Sequence, residues 1–299
     1  MAKLIKQGGG GYTIYLPKKW VEKNKLEKGN ELSIEESGKN LIISPDKIGK
    51  KTETNTILIN SIESSIRTII TNSYRAGYDR IKLHFNDEKQ FNLLQKIVKS
   101  NLIGFEIIKK EKDFCIVENI TEPTFDQFDN ILKKLFLNID ELFEITKKRF
   151  ANSKEIEDFN EVEERILKYD NFCRRVITKQ KLIKQNSEMF WTFLVLIIHG
   201  QRELYHLNKI LDKKIKISKE TTSMLEESLR MFKLIEEAYY KKDKEILGKV
   251  HELNKEHVFK KGYALIESKK GKEAIILFHL ITSIRQFYLA NSPLSGLLI

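Results

Sequence analysis

Cysteine is scarce in this chain of 299 residues, which carries only Cys115 and Cys173. One distant pair is no disulfide framework, and neither thiol has metal-ligand spacing around it. A disulfide-stapled secreted scaffold and a zinc ribbon are therefore excluded, and reduced thiols in a cytoplasmic protein are the plain reading. Long apolar runs are also missing. The longest, Met189–Ile198, is interrupted by Thr192 and is about half of what a bilayer span needs. The first residues have no apolar signal core. Catalytic signatures are absent too: there is no phosphate-binding P-loop, no G-x-S-x-G, no H-E-x-x-H and no Cys-x-x-Cys. Neither an enzyme nor a cofactor is expected.

Hydrophobic residues are plentiful at 41%, enough for a packed core, and the length suggests about two domains. The net charge is +11. A balance of that kind allows contact with nucleic acid or an anionic surface. It is unevenly placed. Residues 1–51 hold eleven lysines against six acids, an excess of five in about a sixth of the chain.

That basic stretch reads as short strands and turns. Lys3–Lys6 and Tyr12–Leu16 are strand-like, with Tyr12, Ile14 and Leu16 alternating with Thr13 and Tyr15. Gly8–Gly11 forms the loop between them, with no Lys-Ser/Thr to make it a nucleotide cradle. Pro17 ends the ladder because it has no N–H to donate, and Lys18–Lys25 follows as a short helix. Lys28-Gly29-Asn30 and Gly38-Lys39 are turns around Leu32 and Ile34, and Leu41–Ile43 closes the unit. Some 40 to 45 residues bury too little surface to fold alone without disulfides or metal, so two copies are expected to share one core.

The runs G-G-G-G-Y-T-I-Y-L-P-K-K-W, K-L-E-K-G-N-E-L and L-I-I-S-P resemble the SpoVT/AbrB-type swapped-hairpin DNA-binding domain. The resemblance implies a dimer of interleaved hairpins whose basic face docks on DNA. It places Lys3, Lys6, Lys18 and Lys19 on phosphates. Gly10 stands where related chains commonly carry a small polar residue.

Asp46–Asn55 is polar and reads as a linker. Ile57–Tyr78 turns helical, with Ile62, Ile66, Ile69, Ile70 and Tyr74 at spacings of three or four. Ile81–Phe85 alternates as a strand, and Asp87 is placed to cap a helix carrying Phe91, Leu94, Ile97 and Val98. Gly104–Ile108 and Asp113–Val117 read as a hairpin around Lys110–Lys112. From Glu122 onward the pattern is helical. The stripe from Phe125 to Phe150 marks a first helix, broken at Asn152-Ser153-Lys154. Phe159 to Gln180 marks a second, and a third runs from near Ser187 to Asp212. Ser218, Asp243 and Lys270-Gly271 open three more. Short connections predict antiparallel neighbours, hence two three-helix bundles end to end.

The segments Tyr74-Arg75-Ala76-Gly77-Tyr78-Asp79-Arg80-Ile81 and Ile103–Ile108, followed by paired bundles, make the chain similar to archaeal PhoU-type phosphate-uptake regulators. The acids of that family's Glu-Arg-x-x-Asp metal signature fall here on Gln201 and Tyr205, and on Ile284 and Tyr288. Amide, alkyl and phenol groups do not replace hard oxygen ligands, so the usual metal sites are expected to be lost, or any metal to be held weakly. Other polar clusters read as ordinary surface. His199 lies near one helix face with His206, seven residues on, and is four residues from Glu203, but without a further ligand for a metal these read as ordinary polar or interface residues. Glu161, Glu163, Glu164 and Asp170, the last paired with Arg174, read as a solvated face.

The expected fold is α+β and mostly α. It comprises a swapped-hairpin β domain over 1–46, a small α/β unit over 56–119, and a helical domain over 122–299 with bundles at about 122–213 and 218–291. The expected function is a cytoplasmic, non-enzymatic transcriptional regulator of phosphate homeostasis. It would bind DNA as a homodimer and insert in no membrane. The alternative is an adaptor whose β domain only dimerises, with bundles that dock on a phosphate transporter or signalling protein.

Overall fold

A computed structural model describes residues 4–7, 11–37, 40–45, 54–58, 63–121, 125–151, 158–180, 186–211 and 215–299. Several expected features lie outside these residues: Lys3, Gly8–Gly10, the Gly38-Lys39 turn, most of the 46–55 linker, and the Asn152-Ser153-Lys154 break. The chain divides into two compact units, Met1–Thr52 and Glu53–Ile299.

The first unit, the head, holds two separate antiparallel pairs. Strand β1 (Ile5–Gln7) pairs with β2 (Gly11–Thr13), matching Lys6 to Tyr12. Strand β3 (Ser33–Ser37) pairs with β4 (Asn40–Ser44), matching Ile34 to Ile43. Helix α1 (Lys18–Lys23) lies between them in sequence and starts after Pro17. Gly29 sits at φ 95°, which a turn built on any other residue would resist. Among the described residues 4–45 whose exposure is defined, none is buried. Tyr12, Ile34 and Leu41 are each more than 60% exposed.

The second unit begins with an α/β layer. Strands β5 (Thr54–Leu58), β6 (Arg80–His84), β7 (Phe105–Lys110) and β8 (Phe114–Asn119) form one sheet in the order β5-β6-β8-β7. β5 runs parallel to β6, and the other neighbours are antiparallel. The strand over 54–58 departs from the sequence reading, which put Asn55 in a linker and Ile57 in a helix. An edge strand of five residues shows its identity only through its partner, here the register Thr54–Arg80 to Leu58–His84. Helices α2 (Glu63–Arg75) and α3 (Glu88–Asn101) connect the strands. Asp87 accepts the Gln90 backbone N–H at 2.8 Å, as its position before the apolar run predicts. Ile66, Ile70, Tyr74, Leu94 and Ile97 from the helices meet Ile81, Leu83, Cys115 and Val117 from the sheet.

The remainder is helical: α4 (Phe125–Phe150), α5 (Phe159–Gln180), α6 (Ser187–Ile210), α7 (Lys219–Lys241), α8 (Glu245–Asn254), α9 (Lys261–Ser268), α10 (Gly271–Leu289) and α11 (Asn291–Leu297). A π-helical segment, Lys255–Lys260, joins α8 to α9. The six expected helices are therefore present, with the fifth made of α8, the π segment and α9, and α11 added at the end. The bundles do not stack end to end. The third helix of each set, α6 and α10, pack against one another, and α4 also touches α7. One continuous core results, running from Phe128 to Leu294. The crossing of α6 and α10 is close because Gly200 offers no side chain. Its carbonyl accepts the Ser283 hydroxyl at 2.9 Å, and Ser283 meets Ser228 of α7 at 3.0 Å.

Candidate nucleic-acid interface

In the head, Lys6 lies on β1, and Lys18 and Lys19 form the first turn of α1. All three are exposed. Lys18 is 89% exposed and reaches Glu22 only loosely, at 3.8 Å. So open an ion pair holds the ammonium weakly and leaves it free for another anion. The first turn of α1 carries no acid, and Glu22 one turn on is the loose partner of Lys18. The structure thus puts Lys18 and Lys19 on one exposed turn, and Lys6 on a strand of the same small unit. Lys3 is outside the described residues.

The four positions of the metal signature hold other chemistry. Gln201 is fully buried, beside Glu163 of α5. The Tyr205 hydroxyl meets Asn160 at 3.3 Å, and its ring packs on Phe159. Ile284 is core, and the Tyr288 hydroxyl meets His251 Nδ1 at 3.0 Å. Among the described residues, no group of three or more His, Cys, Asp or Glu side chains is arranged to hold a metal ion. His199 is exposed. Glu203 instead pairs with His279 of α10 at 2.7 Å, and the His206 ring lies 6.1 Å from that of His279.

The acids of α5 divide: Glu161 is exposed and Glu164 half-buried, but two of the four do not lie on a solvated face. Glu163 and Asp170 are buried, as are Asn171, Arg174 and Arg175. The reason lies in partners distant in sequence: α2 and α3 cover this side of α5. Arg75 donates to Asp170 at 3.0 Å and to Asn171 at 2.8 Å, and Arg174 donates to Asp170 at 2.8 Å. Arg175 donates to the carbonyls of Tyr74 and Tyr78 and to Asp79, at 2.8 to 3.0 Å. Lys179 also pairs with Asp79. Helical periodicity sees only one helix, so Asp170–Arg174 looks like a surface pair. Burial pushes the Glu163 carboxyl up to about 7, against the pull of Gln201, Arg202 and Lys209.

Among the described residues, no helix is long and apolar enough to cross a membrane. The family described as antidote-toxin recognition MazE, bacterial antitoxin, matches residues 5–51. That match supports a MazE/AbrB-like, antitoxin-type N-terminal domain and is consistent with DNA binding and dimerisation. The PhoU-type reading of the helical part has no family match behind it. Comparison with curated proteins gives no match, and comparison with solved structures gives none.

Proposed function

We propose that the chain is a DNA-binding regulator that acts as a homodimer through its head. The observation that carries this reading is the state of residues 4–45. Their described residues form two hairpin-like pairs, none buried among those whose exposure is defined, with apolar groups open to solvent and exposed lysines on the same small unit. A second copy supplies the missing half of a core, and pairing doubles the local positive excess on one shared body. The family match over 5–51 points the same way.

Binding then follows from phosphate neutralisation. Lys6, Lys18 and Lys19 from two chains, with Lys3, give about eight phosphate contacts, and log affinity falls with log salt at a slope of about −7. Changing Lys18 and Lys19 to Ala in both copies removes four contacts. The slope is expected to become shallower by about 3 to 4. A mobility-shift series across salt concentrations measures this, and unchanged binding would sink the reading. Sedimentation at low concentration gives a separate check, since a monomer with a folded head would contradict the shared core.

We further propose phosphate uptake as the regulated process, with the helical unit as the sensing part and no catalytic role. Its support is the likeness of Tyr74–Ile81 and of the helix order to PhoU-type regulators. Transcript levels under phosphate limitation, with and without the chain, test it. In the competing adaptor reading the head only dimerises. That reading predicts a clean dimer that ignores DNA at low salt.

A further inference from the structure

One cleft in the helical unit has no part in the reading above. It opens where the first turns of α4 and α6 meet the last turn of α7, and its volume is about 720 Å³. Small-molecule sites commonly fall between about 300 and 1,000 Å³. Its wall is aromatic. Phe128 and Phe190 have ring centroids 5.4 Å apart, Phe190 and Tyr239 are 5.9 Å apart, and Tyr239 and Tyr240 are 5.1 Å apart. Successive rings meet at 58°, 74° and 76°, tilted or edge to face, so a flat ligand can lie on only one of them at a time. Tyr240 is the exposed ring of the four, while Phe128 and Phe190 are buried.

The polar groups at the cleft narrow the choice. Lys133 and Lys242 face it with a single carboxylate, Asp129, so the lining is positive by one charge. That disfavours a cation and attracts an anion. Asn130 offers an amide donor and acceptor, and Asn186, whose Nδ2 already donates to the Gly296 carbonyl at 3.3 Å, keeps its oxygen and its second N–H. Neither the hydroxyls of Tyr239 and Tyr240 nor the Asp129 carboxylate has a hydrogen-bond partner among the described residues. Burial, reinforced by the Asp129 charge, raises both phenols, Tyr240 to about 12, so both remain donors at neutral pH. Lys242 carries a further mark. It caps α7 in the left-handed region at φ 53°, ψ 35°, a place where glycine is usual.

We propose that this cleft binds a nucleotide, its base on the exposed Tyr240 ring and its phosphate between Lys133 and Lys242. A base has the π-face that this ring accepts and the mixed donor–acceptor edge that Asp129, Asn130 and Asn186 can read. Its phosphate matches two lysines as point charges. The proposal is independent of DNA binding by the head.

The test is calorimetric titration of the full chain with AMP and GMP, and separately with adenosine and inorganic phosphate. At least one nucleotide should bind, with adenosine and phosphate each about tenfold weaker or worse. Tyr240→Ala should weaken the nucleotide about tenfold, while Tyr240→Phe keeps most of the stacking. Lys133→Ala with Lys242→Ala should bring the nucleotide down to the level of adenosine. All three side chains are exposed, and circular dichroism confirms that each variant is folded. Lys18→Ala with Lys19→Ala should leave nucleotide affinity unchanged, whatever it does to DNA. Three results would overturn the proposal: no heat with either nucleotide at millimolar concentration, inorganic phosphate binding as well as a nucleotide, or binding that survives the cleft variants and disappears with the head variant.

Discussion

Consider a methyl group added at Gly200. Its Cβ would stand 2.5 Å from Phe287 Cε1, 2.6 Å from Cδ1 and 2.8 Å from Cζ. Carbon atoms in good contact lie about 3.5 to 4.0 Å apart, so the ring must retreat by about 1 Å. It has no room to do so: Phe287 is fully buried, with Phe232 5.2 Å away and Phe143 6.3 Å away between centroids. Overpacking of this kind costs about 1 to 3 kcal/mol, while Gly→Ala within a helix returns about 0.8 to 1 kcal/mol. The net for Gly200→Ala is a loss of about 1 kcal/mol. Gly248 on α8 is the control, because a Cβ there meets nothing within 4 Å. Gly248→Ala should therefore gain about 0.8 kcal/mol. The gap between the two variants is about 2 kcal/mol, or about 4 to 8 °C in Tm for a unit of this size. Thermal unfolding followed by circular dichroism measures it. If Gly200→Ala proves as stabilising as Gly248→Ala, the close crossing of α6 and α10 is wrong. In the double variant Gly200→Ala/Phe287→Leu, the two changes should cost less together than their separate effects predict.

Three further outcomes follow from buried or strained groups. Glu163 binds its proton more tightly folded than unfolded, so its ionisation destabilises the fold as pH rises from about 4.5 through 7. Glu163→Gln should match the parent near pH 4 and exceed it at pH 8 by roughly 3 kcal/mol in urea unfolding; equal stability at both pH values would refute the burial of that carboxyl. Arg175→Ala leaves two carbonyls and Asp79 short of a donor and should cost about 3 kcal/mol or more, with Arg175→Lys recovering little because a single ammonium nitrogen cannot span acceptors served by two separate guanidinium nitrogens. Lys242→Gly should relieve the left-handed cap by up to about 1 kcal/mol yet weaken nucleotide binding, whereas Lys242→Ala should lose binding without the gain.

Much of the architecture can be read from local chemistry. Ser218 accepts the Thr221 N–H and Asp243 that of Glu245, both at the helix starts where their side chains suit capping. The apolar stripes of α4 and α10 recur at 3.6 residues and land in the core. What stays hidden depends on partners far along the chain. β5 has no alternation of its own, and its parallel pairing exists only once β6 is placed. The polar residues of α5 look solvated until α2 and α3 cover them. The flank-to-flank bundles depend on Gly200, which by itself reads as an unfavourable residue within a helix. In the proposed interface, Lys6, Lys18 and Lys19 are legible as charge. The cleft is not, because its lining is drawn from the ends of four helices, α4, α6, α7 and α11, far apart in sequence.

The polar seam along α5 has a mechanical consequence. An oily seam tolerates sliding by a helical turn, since any apolar surface replaces any other. Guanidinium forks aimed at particular carbonyls and carboxylates accept one alignment only. A shift or tilt of α5 would therefore carry the sheet with it as a rigid handle, instead of being absorbed at the boundary between the layers.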